Sequence, residues 1–177
     1  KAILTKSVKT IVDQVDAMKR LVNEFRDYAR LPAAELKPLD LNALLTDILH
    51  LYESETARVP VRMQLDGRCP PIRGDAQQLR QVVHNLLQNA QDATASAPPD
   101  PSSSREVVIR TAWVEASRRV RLVVQDSGAG FAENILKRAF EPYVTTKSKG
   151  TGLGLAVVKK IADEHGSRID IANRVVD

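Results

Sequence analysis

One cysteine, Cys69, in 177 residues excludes an internal disulfide and a zinc site built on cysteines. That scarcity fits a reducing compartment. Aromatic residues make up only 4%, too few for the stacking platforms that hold single-stranded nucleic acid. No apolar run approaches the ~18 residues needed to span a membrane. No block of five Lys or Arg occurs, and a solvated surface accounts for the net charge of +4, so no nucleic-acid partner is expected. The opening KAILTKS has neither a start methionine nor a signal peptide, and the chain reads as a piece of something longer. Glycine is also scarce, at eight residues, yet three of them fall within GTGLG at 150–154. At 43% hydrophobic the chain can build a core, as one domain with an extension or as two small domains.

From Lys1 to Leu31 there is neither glycine nor proline. Leu4, Val8, Ile11, Val15, Met18, Val22, Phe25 and Ala29 recur at alternating intervals of four and three, an a/d heptad pattern. Val12, Leu21 and Tyr28 widen the stripe, which favours a helical bundle or dimer over a lone two-stranded zipper. Pro32 ends the helix, and LPAAELKPLD is a connector. Asp40 caps a second helix over 41–57, with Leu44, Leu45, Ile48, Leu51 and Tyr52 inward. VPVRMQL (59–65) alternates as a strand, GRCPPIRG is a turn, and APPDPSSSRE (97–106) is a Pro/Ser loop. Strands are expected over 106–113 and 119–125, then two helices and a closing strand. Adjacent strands in a mixed order predict an α+β, two-layer sandwich.

Three stretches carry chemistry. In GDAQQLRQVVHNLLQNAQDA (74–93), Asp75 with Gln78 gives a start like a capping box, and Leu79, Val82, Val83, Leu86, Leu87 and Ala90 form the apolar face. Asn85, Asn89 and Asp92 fall within about 60° of one another on a different face. Such a file suits a hard cation or a nucleotide, or is a polar helix edge facing water. In VVQDSGAGF (123–131) a strand end delivers Asp126 beside Gly128 and Gly130. Its carboxylate can accept from an exocyclic amine, and D-S-G is equally ordinary turn chemistry. In KSKGTGLGLAVVKK (147–160) the glycines match neither the dinucleotide fingerprint nor a P-loop. They make a loop closing on a helix N-terminus, preceded by Lys147 and Lys149, which reads as a phosphate contact or as a linker with solvated lysines. Leu155, Val158, Ile161 and Ala162 bury that helix, and Gly166 stops it.

In their joint order, NLLQNAQDA, DSGAG, FEPYVTTK and GTGLGL resemble the N, G1, F and G2 boxes of the sensor histidine kinase ATP-binding domain. That domain belongs to the wider GHKL (Bergerat) family with the gyrase and Hsp90 ATPases. The match runs over about 74–173. LVNEFRDYARLP further resembles the second dimerisation helix of nitrogen-regulation sensors of the NtrY and NtrB kind. The resemblance implies a dimerisation helix over 1–31, a linker over 32–40 and a catalytic domain over 41–177 that lacks its last strand. It implies ATP and Mg²⁺ as ligands, with Asn89 on the metal, Asn85 beside the phosphates and Asp92 in polar contact. Asp126 resembles the adenine-reading carboxylate, and Gly128 and Gly130 leave room at the nucleotide's edge. Tyr143, Lys147, Gly150, Thr151, Gly152, Leu153, Gly154 and Leu155 complete the nucleotide-binding set, the lysine and glycines resembling a lid over the β- and γ-phosphates.

The resemblance further implies γ-phosphoryl transfer to a histidine on another helix, then relay to a response-regulator aspartate. His50, His84 and His165 are not flanked as acceptors, so no certain catalytic residue is assigned and self-phosphorylation is not expected. The implied partners are a second copy, through the first helix, and a receiver domain. The implied location is cytoplasmic, with membrane anchoring of the parent left open. Two alternatives stand beside this reading. One is a MutL- or gyrase-like ATPase that closes on DNA. The other is a dimerisation module with a degenerate nucleotide pocket.

Overall fold

The computed structural model describes residues 2–53, 59–98, 105–147 and 150–174. With nothing to break it, the first segment is one helix, α1 (Ala2–Ala29). Its heptad residues are exposed, from Leu4 at 71% to Val15 at 44%. Among its described side chains only Ala17, Glu24 and Tyr28 are half-buried. At 100° per residue these three share a face about 120° from the apolar stripe. Tyr28 therefore does not widen the stripe as expected. Its face is turned toward the last helix, α5 (Gly154–Glu164).

The connector holds a short strand, β1 (Lys37–Leu39), antiparallel to β3 (Ile72–Gly74) inside the segment expected to be only a turn. Pro38 is tolerated there because the pair is two-stranded and every strand is an edge. The connector is pinned elsewhere as well. Gln78 Nε2 donates to Pro32 O at 2.8 Å, and Glu35 N–H donates to Asp75 Oδ2 at 3.0 Å.

The main sheet is mixed, in the order β2-β4-β5: β2 (Val61–Gln64) runs parallel to β4 (Val107–Val114), and β5 (Arg119–Gln125) returns antiparallel. A parallel pair needs a crossover. Here it contains β3 and the helix α3 (Ala76–Ser96). Between β4 and β5 a short 3-10 turn, Glu115–Ser117, ends at Arg118 in the left-handed region. The other helices are α2 (Leu41–Glu53) and the short α4 (Glu133–Leu136). Helices and sheet form the two layers of an α+β sandwich. Leu45 of α2, Leu87 of α3 and Ile109 of β4 are buried at their junction, with Leu41, Leu44, Ile48 and Leu49 filling around them.

Three further expectations meet the structure differently. The side chains of Leu51 and Tyr52, and residues 54–58 of the predicted second helix, lie outside the described residues. Helix α5 buries Ala156, Val157, Val158 and Ile161, while Leu155 and Ala162 are only half-buried. No closing strand forms among the described residues 167–174. Asn173 instead pairs with the backbone of Phe131, accepting from its N–H at 2.8 Å and donating to its carbonyl at 2.6 Å.

Candidate functional site

Helix α3 begins at Asp75, whose Oδ1 accepts from Gln77 N–H and Gln78 N–H. These bonds satisfy two of the N–H donors a helix start leaves unmet. The reciprocal half of a capping box is absent. Gln78 reaches Pro32, and Asp75 N–H donates to His165 Nε2 at 2.9 Å. That fixes the His165 tautomer with its proton on Nδ1, which donates to Ile161 O at 2.8 Å. The end of α5 is thereby fastened to the start of α3. The Asp75 carboxyl is held below the ordinary range, first by Gln78 N–H, then by Glu35 N–H.

From that anchored start, α3 presents its polar file toward the start of α5. Asn85 Nδ2 donates to Gly154 O at 3.3 Å. A Cβ at Gly154 would lie in ordinary contact with this file, 3.8 Å from Asn89 Nδ2 and 4.0 Å from Asn85 Cγ. Lys147 Nζ donates to Asn89 Oδ1 at 3.1 Å and pairs with Asp92 Oδ2 at 2.8 Å. Gln88 supports Asp92 from the same helix at 3.3 Å. Asn89, Asp92 and Lys147 thus form one cluster, with Asn85 on the same file bonded to Gly154, and the polar file is not merely a solvated edge.

The glycine turn is shaped by backbone contact. Tyr143 N–H donates to Gly152 O at 2.9 Å. Gly152 has φ +70°, and a Cβ there would lie 2.5 Å from the Tyr143 carbonyl carbon. No other residue fits without moving that strand of the loop. Tyr143 itself has positive φ and an exposed side chain, so its structural contribution is through the main chain. Leu153 is wholly buried, main chain included, so the structure does not place it where a ligand would touch it. Thr151 Oγ accepts from Leu153 N–H at 3.4 Å and is hydrogen-bonded to the Glu24 carboxylate of α1. Gly150 N–H donates to Lys147 O at 3.1 Å, while Lys149 lies outside the described residues.

The third stretch lies beside the C-terminal half of α3. Asp126 Oδ1 accepts from Gly128 N–H at 2.8 Å, the ordinary turn bond, which leaves Oδ2 for another donor. Gly128 allows this turn to approach the helix: a Cβ there would meet Ala93 Cβ at 2.7 Å. Gly130, at φ +75°, stands against Asn173 instead. The buried hydroxyl of Thr94 accepts from Ser127 N–H at 3.2 Å and docks the turn on α3. Thr94 was not singled out from the sequence. A signal existed, because it continues the Leu87–Ala90 file of buried positions. For Glu24, Asn173 and His165 the partner lies at a sequence distance that no local pattern spans.

A divalent cation finds no all-protein cage, since no cluster of three His, Cys, Asp or Glu occurs among the described residues. The Lys147 ammonium nevertheless stands between one amide oxygen and one carboxylate, a pair of hard oxygen donors already facing a cation. Mg²⁺ characteristically takes one or two protein ligands and fills its octahedron with phosphate oxygens and water. The residues present fit that pattern.

Residues 74–175 match the family model described as Histidine kinase-, DNA gyrase B-, and HSP90-like ATPase. The Nitrogen regulation protein NtrY of Azorhizobium caulinodans is 32% identical over 172 residues, covering 96% of this chain and 22% of the relative. ShkA, solved full-length in complex with AMPPNP, aligns with TM-score 0.70 at 28% identity over 91% of this chain and 34% of that one. The nucleotide-free catalytic domain of the histidine kinase ThkA aligns with TM-score 0.66 at 30% identity, over 80% of this chain and 89% of that one. The chain thus spans about a fifth of the NtrY relative and a third of ShkA.

Proposed function

This chain belongs to the Histidine kinase-, DNA gyrase B-, and HSP90-like ATPase family, with an ATP-binding domain of the sensor histidine kinase kind, and we propose that it binds Mg-ATP for phosphoryl transfer. The observation that carries the proposal is the convergence of Asn89 and Asp92 on one cation beside the N-terminal turn of α5. In this reading Asn89 would hold Mg²⁺ near where the Lys147 ammonium now stands. The metal would supply charge neutralisation at the transferred group. Asp92 stands beside it, and Asn85 braces Gly154 next to the phosphates. Lys147, once displaced, pairs with phosphate together with Thr151 and the backbone N–H groups of Gly152, Gly154 and Leu155, joined by that of Gly150 when it leaves Lys147 O. Asp126 accepts the adenine amine, with Gly128 and Gly130 at the base's edge.

On the same reading, residues 1–31 dimerise, 32–40 link and 41–177 bind nucleotide. The γ-phosphoryl goes to a histidine on a dimerisation helix outside these 177 residues, and from there to a receiver-domain aspartate. The exposed a/d seam of α1 supports the dimer, because its docked face is a different one.

Asn89→Ala tests the metal role. Asn89 is half-buried and off the core face, so the variant should fold. Its affinity for adenylyl imidodiphosphate in Mg²⁺ should fall by about tenfold or more, with the Mg²⁺ dependence lost. Unchanged, Mg²⁺-dependent binding would remove Asn89 from the metal.

A further inference from the structure

The glycine turn is bonded to a residue far outside the family match. Glu24, half-buried near the end of α1, accepts a hydrogen bond from the Thr151 hydroxyl through Oε2. Thr151 in turn receives the N–H of Leu153, the residue that caps α5. One turn of helix further along, Lys160 Nζ of α5 donates to Tyr28 O at 2.9 Å and lies 5.5 Å from the Tyr28 ring centroid. Glu24 and Tyr28 are thus successive contacts along one face of α1, both made to the element that forms the phosphate side of the site.

We infer that Glu24 is a positioning residue for the glycine turn: it holds the Thr151 hydroxyl in the nucleotide-free arrangement and must release it when phosphate enters. Two physical points support this. A carboxylate hydrogen-bonded to the turn puts negative charge where the nucleotide would bring more, and the two repel. A hydroxyl has one proton to donate, so Thr151 cannot donate to both Glu24 and a phosphate oxygen. Phosphate binding and the Glu24 contact are therefore alternatives, and each weakens the other by the same factor. Because Glu24 and the exposed apolar seam lie on one rigid helix, whatever packs against the seam sets where Glu24 stands. The inference rests on the nucleotide reading only for what replaces Glu24. The bond to the turn stands apart from it.

Two readouts on the full chain test this. The first needs no nucleotide. Amide hydrogen exchange at Leu153 should be faster in Glu24→Ala than in the parent, with the centre of α3 unaffected. Equal exchange at Leu153 would overturn the positioning role. The second is the affinity for adenylyl imidodiphosphate with Mg²⁺. Glu24→Gln keeps the side-chain shape while removing the charge-assisted bond, and should bind roughly fivefold tighter than the parent. The gain should shrink in a Thr151→Val background, where only the removal of charge still acts. Weaker binding by Glu24→Gln, or a gain undiminished without the Thr151 hydroxyl, would overturn the inference. A parent protein that bound no nucleotide would defeat the ATP reading, and the exchange comparison would still decide the role of Glu24.

Discussion

The Asp75 carboxylate accepts from three backbone N–H groups, those of Gln77 and Gln78 at the start of α3 and that of Glu35 in the connector. Its own N–H meets His165 at the end of α5. One residue, through its carboxylate and its N–H, therefore joins three segments. Asp75→Ala should cost about 1–2 kcal/mol at neutral pH, the range of a lost N-cap. The sign of the pH dependence follows from the direction of the shift. The carboxyl is held below its ordinary range by Gln78 and Glu35, so its contribution is complete above about pH 4 and is lost as the pH falls through the folded value. Urea unfolding of parent and variant at pH 7 and pH 3 should show the gap narrowing in acid. Asp66 is held low on the same side by Arg68 and by the Arg68 and Trp113 N–H groups, but it is present in both proteins and drops out of the difference. A gap of constant size would mean that the charge on Asp75 does not act as described.

At the scale of the element, α1 divides its faces between two tasks. Ala17, Glu24 and Tyr28 face the domain, and the heptad stripe stays exposed. Val15→Asp puts a charge into the stripe without touching the docked face. It should weaken self-association by roughly a hundredfold or more, since an unpaired charge buried in the seam is costly. Sedimentation equilibrium of the two proteins measures this, and a parent that stayed monomeric at high concentration would contradict the seam. The helix and its stripe were legible in the sequence because period and the absence of breakers are local properties. The β1 strand was not. It has three residues, one of them Pro38, and exists only because Ile72–Gly74 lies opposite it. The closing strand was read from the residues after Gly166, whereas the described residues there are tied down by Asn173 to Phe131.

At the scale of the molecule, Lys147, the described residues 150–155 and the turn 126–130 all meet helix α3, because α3 packs against α5 and the β5 turn docks on Thr94. Their order along the chain was readable as four short motifs. Their geometry was not, since Lys147 reaches Asn89 and Asp92 across more than fifty residues and Thr151 reaches Glu24 across 127. The a/d pattern marked the exposed seam of α1. Nothing local marked the second, polar face that meets the glycine turn.

The proposed nucleotide site would be completed by a metal that the protein holds only weakly by itself. Calorimetric titration of the unaltered chain with adenylyl imidodiphosphate, in Mg²⁺ and in EDTA, decides this. One site per chain is expected, with affinity at least about tenfold higher in Mg²⁺, if Asn89 and the phosphates share the ion as proposed. No heat of binding, or binding indifferent to Mg²⁺, would contradict it.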